Sequence, residues 1–255
     1  MKISIITAVF NNRDTVAEAL DSVLSQSHAD CELVVIDGGS TDGTLETLSR
    51  YVDHVAAFVS ESDGGIYDAL NKGIGKATGD VVGFLHSDDL MADESVLKRV
   101  AEVFADPEVD AVYGDLVYVS RNDPSHVVRR WKAGPFNVKQ LRWGWMPPHP
   151  TFYVRRELYE RLGRFDISYR IAADYDCMLR FLMSGIRVAY IPQVQVRMRM
   201  GGASNRSLGN IVRKSVEDYT ALRRNRVGGA AALLLKNVGK LPQFFRRNGH
   251  EGQGK

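Results

Sequence analysis

Val81-Val82-Gly83-Phe84-Leu85-His86-Ser87-Asp88-Asp89 reads as an apolar strand that runs into a polar hinge and ends on two adjacent carboxylates. A short apolar run of this kind suits a strand buried on both faces of a parallel sheet. In open α/β sheets, ligands bind in the crevice beyond the carboxyl ends of the strands. Two aspartates there offer hard oxygen ligands to a divalent cation. The same pair also suits a turn that caps a helix, because Leu90-Met91-Ala92-Asp93-Glu94 follows it. The neighbouring segments decide between the two readings.

Working outward, strands and helices alternate. Ile3 to Val9 reads as a buried strand, and Thr15-Val16-Ala17-Glu18 has a capping-box pattern that predicts a helix start. Glu32 to Ile36 is the next strand and ends in Asp37-Gly38-Gly39-Ser40-Thr41-Asp42-Gly43, with a helix expected from Thr44. Val55 to Ser60 gives a third strand and Tyr67 to Lys76 a helix, before the strand Val81 to Leu85. Such a βαβα series calls for an α/β fold: a mostly parallel central sheet flanked by helices. The polar loops Thr7 to Asn12, Asp37 to Gly43, Ser60 to Tyr67 and His86 to Asp89 all follow strands. A parallel sheet gathers them along one crevice. Neither a Gly-X-Gly-X-X-Gly after the first strand nor a Gly-Lys-Ser/Thr loop is present.

Composition excludes several other classes. The chain has 255 residues, 44% hydrophobic and 25% charged, which is ordinary for a globular protein. Cys31 and Cys177 match no zinc spacing, and the default is a reducing compartment. The apolar start after Met1 is too short for a signal peptide, and no run approaches the roughly 20 apolar residues of a membrane span. The net charge of +2 hides an asymmetry: Arg197 to Lys255 carries 13 basic and 3 acidic residues, against 20 and 28 before it. The basic residues are interleaved with Leu233-Leu234-Leu235 and Phe244-Phe245 rather than with a nucleic-acid motif, so the expected partner is an anionic membrane surface, not nucleic acid.

Ser4-Ile5-Ile6-Thr7-Ala8-Val9-Phe10-Asn11-Asn12, Val35-Ile36-Asp37-Gly38-Gly39-Ser40-Thr41-Asp42-Gly43-Thr44, Ser60-Glu61-Ser62-Asp63-Gly64-Gly65-Ile66-Tyr67-Asp68-Ala69-Leu70-Asn71-Lys72-Gly73 and Leu85-His86-Ser87-Asp88-Asp89, in this order, resemble glycosyltransferase family 2. The resemblance covers roughly Lys2 to Ser204 and is nearest in flavour to bacterial enzymes that build colanic acid and other exopolysaccharides. It implies the Rossmann-like GT-A fold, inversion at the anomeric centre and a nucleotide-diphosphate-sugar donor (UDP-, GDP- or dTDP-linked). It also implies Mn²⁺ or Mg²⁺ on the donor diphosphate, with Asp89 as metal ligand and Asp88 orienting the donor. The chain departs from the commonest pattern at Ser87 and Gly38, where acids are usual, and Asp63 is the expected substitute for the latter.

The donor site implied by the resemblance comprises Thr7, Val9, Asn11, Asp37, Gly38, Asp63, Asn71, Lys72, Ser87, Asp88 and Arg199. Arg199 resembles the arginine of a mobile segment that grips the pyrophosphate, with Gly201-Gly202 as hinge. A general base must take the proton from the acceptor hydroxyl. Ala172-Ala173-Asp174-Tyr175-Asp176 matches the family's base segment with Ala173 in place of a Glu, which makes Asp174 the base. Asp176, two residues on, points to a different side of the helix. His149 and Trp145 are the expected acceptor contacts, with His149 equally suited to supporting its loop and Trp131 and Trp143 as further stacking faces. A wall of the acceptor site is expected from Asn137 to Trp145 and Arg155 to Leu162.

Residues 1–204 are thus expected to form the catalytic domain and 205–255 a helical, basic extension with a disordered end. The expected reaction transfers a sugar to a glycolipid or oligosaccharide acceptor, in the cytoplasm or on the inner face of the cell membrane. A metal-dependent nucleotidyl or phosphoryl transferase, or an inactive sugar-binding subunit, are the alternatives.

Overall fold

The computed structural model describes residues 1–201 and 208–238. β1 (Ile3–Val9) is buried at every position and pairs in parallel with β2 (Cys31–Asp37) and β4 (Val81–Phe84). β3 (Ala57–Ser60) continues the parallel half beyond β2. β1 and β4 are buried at every position because helices cover both faces of the sheet there. On one face Ile3, Ile5, Val9, Leu33 and Val35 meet α1 (Arg13–Leu24) and α4 (Val96–Phe104). On the other, Ile6, Ala8, Val34 and Ile36 meet α3 (Ile66–Lys76) and α7 (Ala173–Met183).

The second half of the sheet is mixed. β8 (Tyr153–Arg155) runs antiparallel between β4 and β6 (Ala111–Val119), and β9 (Val188–Arg199) runs parallel to β6. β5 (Leu90–Met91) pairs antiparallel with the end of β9, and β7 (Val127–Trp131) with the end of β6. The sheet order is β3-β2-β1-β4-β8-β6-β9-β5 with β7 beside β6. Gly83 in β4 makes room for Tyr153: a Cβ there would collide with the tyrosine ring. The short helices are α2 (Thr44–Leu48), α5 (Val138–Leu141) and α6 (Glu157–Leu162).

α3 starts one residue before the expected Tyr67, and the start of α1 differs in a way that matters. α1 starts at Arg13, two residues before Thr15, so the anticipated Thr15–Glu18 capping box does not form. The Thr15 hydroxyl instead donates to Asn12 Oδ1 (2.9 Å) and to the Ser87 carbonyl (3.0 Å). Tertiary contacts between strand ends claim the residue that the local pattern assigned to a cap.

C-terminally, α8 (Leu208–Arg224) and α9 (Ala230–Val238) close against α7, with Ala221, Leu222, Val227 and Ala232 joining the core on that face. Lys236 and Asp218, both nearly inaccessible, form an ion pair of 2.7 Å between the two helices. None of the described helices is long and apolar enough to cross a membrane. Gly202, Ser204, Pro242 and the 248–255 end lie outside the described residues, as does the expected boundary at 204/205.

Candidate functional site

The four polar loops do meet at one edge, and hydrogen bonds stitch them together. Asn11, in the left-handed region (φ 47°) that Asn tolerates better than most residues, accepts from Thr41 N (2.9 Å) and donates its own N–H to Ser40 Oγ (2.8 Å). Asn12 donates its backbone N–H to Thr44 Oγ1 (2.9 Å) and its amide to Ser87 Oγ (2.8 Å). Ser87 therefore ties the first loop to the fourth through a neutral hydroxyl.

Asp37 is fully buried and accepts from Gly39 N, Ser40 N, Ser40 Oγ and Ser60 Oγ at 2.5 to 3.1 Å. Its carboxylate is saturated by the turn it organises. At the next position, a Cβ on Gly38 would sit 2.6 Å from Asp63 Oδ2. The third-loop carboxylate thus occupies the space that a side chain at 38 would need, held there by a 2.8 Å bond from Gly65 N to its other oxygen. Thr7 and Val9 are buried under this edge, and Thr7 Oγ1 has no hydrogen-bond partner among the described residues.

The two acids of the fourth loop differ sharply. Asp89 is 1% exposed; Oδ1 accepts from Arg199 N (3.0 Å), while Oδ2 is buried without a partner among the described residues. Burial, and then the charge of Asp88, push its pKa well above the ordinary carboxylate range despite the Arg199 N–H. Asp88 is half-buried, and its carboxylate makes no hydrogen bond among the described residues. An orphaned buried oxygen beside an uncommitted carboxylate fits a cation, since either alone is costly without a positive partner. No group of three or more His, Cys, Asp or Glu is gathered for a metal among the described residues, so a cation here needs ligands beyond these two carboxylates.

Arg199 ends β9 and is 3% exposed; its guanidinium donates to the Asp88 carbonyl (2.9 Å) and pairs with Glu18 of α1. It braces the Asp88-Asp89 turn, and gripping a diphosphate requires it to release these partners.

Across the crevice, Asp174 stands in the first turn of α7. It accepts from Tyr175 N (2.8 Å) and from the Tyr67 hydroxyl (3.2 Å), which also reaches the Ile171 carbonyl (2.6 Å). Burial, and then the charge of Asp174, push the Tyr67 phenol far up, so it stays protonated. Asp176 faces the other way, 2% exposed, accepting from Asn225 (2.9 Å). His149 lies stacked on Phe84 at 5.6 Å and 5.9 Å from the His86 ring, its Nε2 buried without a partner among the described residues. Burial pulls its pKa down to about 4, against the opposing charge of Asp174. His86 is lowered by burial too, with Asp88 and Asp174 opposing. Both imidazoles are therefore neutral at pH 7.

Three expected contacts are engaged elsewhere. Asn71 spends both ends of its amide on the Phe165 backbone, at 2.9 and 3.0 Å, clamping α3 to the segment before α7. Lys72 pairs with Glu61 (2.8 Å) and Asp68 (3.4 Å). Trp145 donates Nε1–H to the Ala133 carbonyl (3.0 Å) and packs against Tyr113 and Phe136, so it anchors the core; Trp143, 65% exposed, is the open tryptophan. Tyr67, His86 and Glu18 were not singled out from the sequence. Tyr67 and His86 stand inside the strand-end motifs, where their signal lies, whereas the local pattern assigns Glu18 to a capping box.

The model of the family described as Glycosyl transferase family 2 matches residues 4–163. The chain is 33% identical over 208 residues to the PGL/p-HBAD biosynthesis glycosyltransferase of Mycobacterium bovis (strain BCG / Pasteur 1173P2), covering 79% of this chain and 78% of that protein. It is similar in structure to S. aureus TarS 1-349 in complex with UDP-GlcNAc, with TM-score 0.69 and 20% identity over 89% of this chain and 66% of that one. A second likeness is to the mannosyltransferase PcManGT from Pyrobaculum calidifontis in complex with GDP-Man and Mn²⁺, with TM-score 0.67 and 23% identity over 96% and 73% of the two chains. The chain spans 39% of a longer TarS chain. The structural likenesses establish a GT-A, Rossmann-like fold, and the family match and the mycobacterial relative, together with the strand-end crevice, establish that the chain is a glycosyltransferase belonging to glycosyl transferase family 2.

Proposed function

We propose that the enzyme transfers one sugar from a nucleotide-diphosphate donor to an acceptor hydroxyl in a single displacement that inverts the anomeric centre. The observation that carries this reading is the placement of acids on opposing elements: Asp88 and Asp89 at the end of β4, Asp174 at the start of α7. Asp174 takes the proton as the hydroxyl oxygen attacks the anomeric carbon, and the bond to the nucleoside diphosphate breaks on the opposite side. The Tyr67 hydroxyl beside Asp174 stays protonated and so does not compete for that proton. Asp88 and the unpartnered Oδ2 of Asp89 would hold Mn²⁺ or Mg²⁺, which supplies charge neutralisation to the departing diphosphate. The solved neighbours with UDP-GlcNAc and with GDP-Man and Mn²⁺ support a donor and cation of this kind. Nucleotidyl or phosphoryl transfer has no such support, and the retained acids argue against an inactive subunit.

The acceptor is a lipid-linked or free oligosaccharide at the inner face of the membrane, in bacterial surface polysaccharide synthesis. Supporting this, α8 exposes Ile211, Val212, Val216 and Tyr219 alongside Arg213 and Arg223, a combination suited to the headgroup region of an anionic bilayer. Co-sedimentation with phosphatidylglycerol vesicles tests the placement: wild type should pellet, and Val212→Glu/Val216→Glu should remain in solution. Equal pelleting of both would take the membrane contact away from α8, and no pelleting of wild type would place the acceptor elsewhere. For the chemistry, release of nucleoside diphosphate from UDP-, GDP- and dTDP-sugars should require a divalent cation, and turnover undiminished by EDTA would refute the cation's role.

A further inference from the structure

We propose that Glu217 of α8, with Tyr67 opposite it, is a positioning residue for Asp174, so that the C-terminal helices are a working part of the active site. This rests on the reading of Asp174 as the general base. The helix that carries Asp174 begins poorly by its own means: its N-cap is Ala172, which has no side chain able to accept a hydrogen bond. The first N–H groups of a helix need partners from outside it. The N–H of the N-cap Ala172, and those of the two residues that lead into it, find theirs 45 to 47 residues away. The Glu217 carboxylate accepts three successive backbone N–H groups: Arg170 (3.1 Å) on Oε1, then Ile171 (2.8 Å) and Ala172 (3.0 Å) on Oε2. Consecutive amides converging on one anion form a nest, and the negative charge also complements the positive end of α7.

Tyr67 closes the arrangement from α3. Its hydroxyl meets the Ile171 carbonyl at 2.6 Å and Asp174 Oδ1 at 3.2 Å. The Ile171 residue is thereby held at its N–H by one helix and at its C=O by another. Glu217 works from a fixed platform, because α8 is itself pinned. Ala221 and Leu222 are fully buried, Asn225 donates to Asp176 of α7 (2.9 Å), Arg224 pairs with Asp166, and the adjacent Asp218 meets Lys236 (2.7 Å). A base displaced by about 1 Å from its proton costs on the order of a hundredfold in rate. The first turn of α7 is where such a displacement would arise if the nest were emptied.

The test compares Glu217→Ala, Glu217→Gln and Tyr67→Phe with wild type, using the nucleotide sugar from a UDP-, GDP- and dTDP-linked panel that stabilises the protein. Glu217→Ala should lower kcat roughly tenfold to a hundredfold, leave the donor KM within about twofold, and raise hydrogen exchange at Ile171 and Ala172. Glu217→Gln keeps an oxygen for Ile171 and Ala172 and should recover most of the rate. Should the alanine variant not fold, Tyr67→Phe carries the test alone, with the same split between kcat and KM expected. Wild-type kcat in Glu217→Ala, or in Tyr67→Phe where that variant stands alone, overturns the proposal. Asp174→Asn separates the two claims. If it retains turnover, the base assignment fails and the proposal falls with it; if it is inactive while the other variants match wild type, positioning alone fails.

Discussion

At Gly38 the missing side chain is what lets the Asp63 carboxylate lie against the second strand end, and the two positions behave as one unit. Adding a methyl group should dislodge Asp63 more than it disturbs the fold. Gly38→Ala is expected to weaken nucleotide-sugar binding severalfold while the melting temperature barely moves, which titration calorimetry beside thermal unfolding would measure. Asp174→Asn is the complementary case. It should bind donor like wild type yet lose on the order of a hundredfold or more in turnover, because proton transfer rather than binding is removed. His149 makes a third prediction, about pH. Its pKa is about 4 in the folded chain, below the ordinary histidine value, so the unfolded chain binds the extra proton first as pH falls. Stability from this residue is therefore complete above about pH 6.5 and is lost between there and pH 4, by up to roughly 1.4 kcal/mol per pH unit. Asp89, raised by burial and by Asp88, contributes in the opposite sense, losing stability as pH rises. His149→Phe should flatten the difference between stability at pH 7 and at pH 4.5, and an unchanged slope in denaturant melts would contradict the assignment.

Among the elements, α3 links the site to the rest of the fold through one side chain. Asn71 holds the Phe165 backbone by two hydrogen bonds, and its loss leaves two peptide groups to find other partners. Asn71→Ala should cost about 1–3 kcal/mol in urea unfolding and leave donor affinity unchanged; a donor affinity that fell with stability intact would restore it to the binding site. This position also marks how far the sequence was legible. The strands of the parallel half, the helix after each and the meeting of four loops followed from apolar runs and turn residues, because those signals are local. The Asn71 amide read as a donor contact, since nothing local told that a backbone 94 residues away would satisfy both its ends. Trp145 and Arg199 share that cause: partners from distant elements decided their roles. Ser87 was visible as a departure, but its bond to Asn12 needed two strand ends to meet. Glu217 was out of reach because the alanine it serves as cap for lies 45 residues earlier.

Over the whole molecule, the sheet divides the labour. Its parallel half presents the donor-side loops, its mixed half brings Arg199 back to the Asp88-Asp89 turn, and the helices on one face deliver Asp174 to the same edge. The central claim is that this edge holds a nucleotide sugar through a cation on Asp88 and Asp89. Its most direct test is thermal unfolding of wild type and of Asp88→Asn/Asp89→Asn with UDP-, GDP- and dTDP-sugars, each in Mn²⁺ and in EDTA. A ligand that binds the folded state alone raises the melting temperature by mass action. At least one nucleotide sugar should do so for wild type in Mn²⁺, and neither in EDTA nor for the double variant. No shift with any nucleotide sugar in Mn²⁺, or an equal shift in the double variant, would contradict the account.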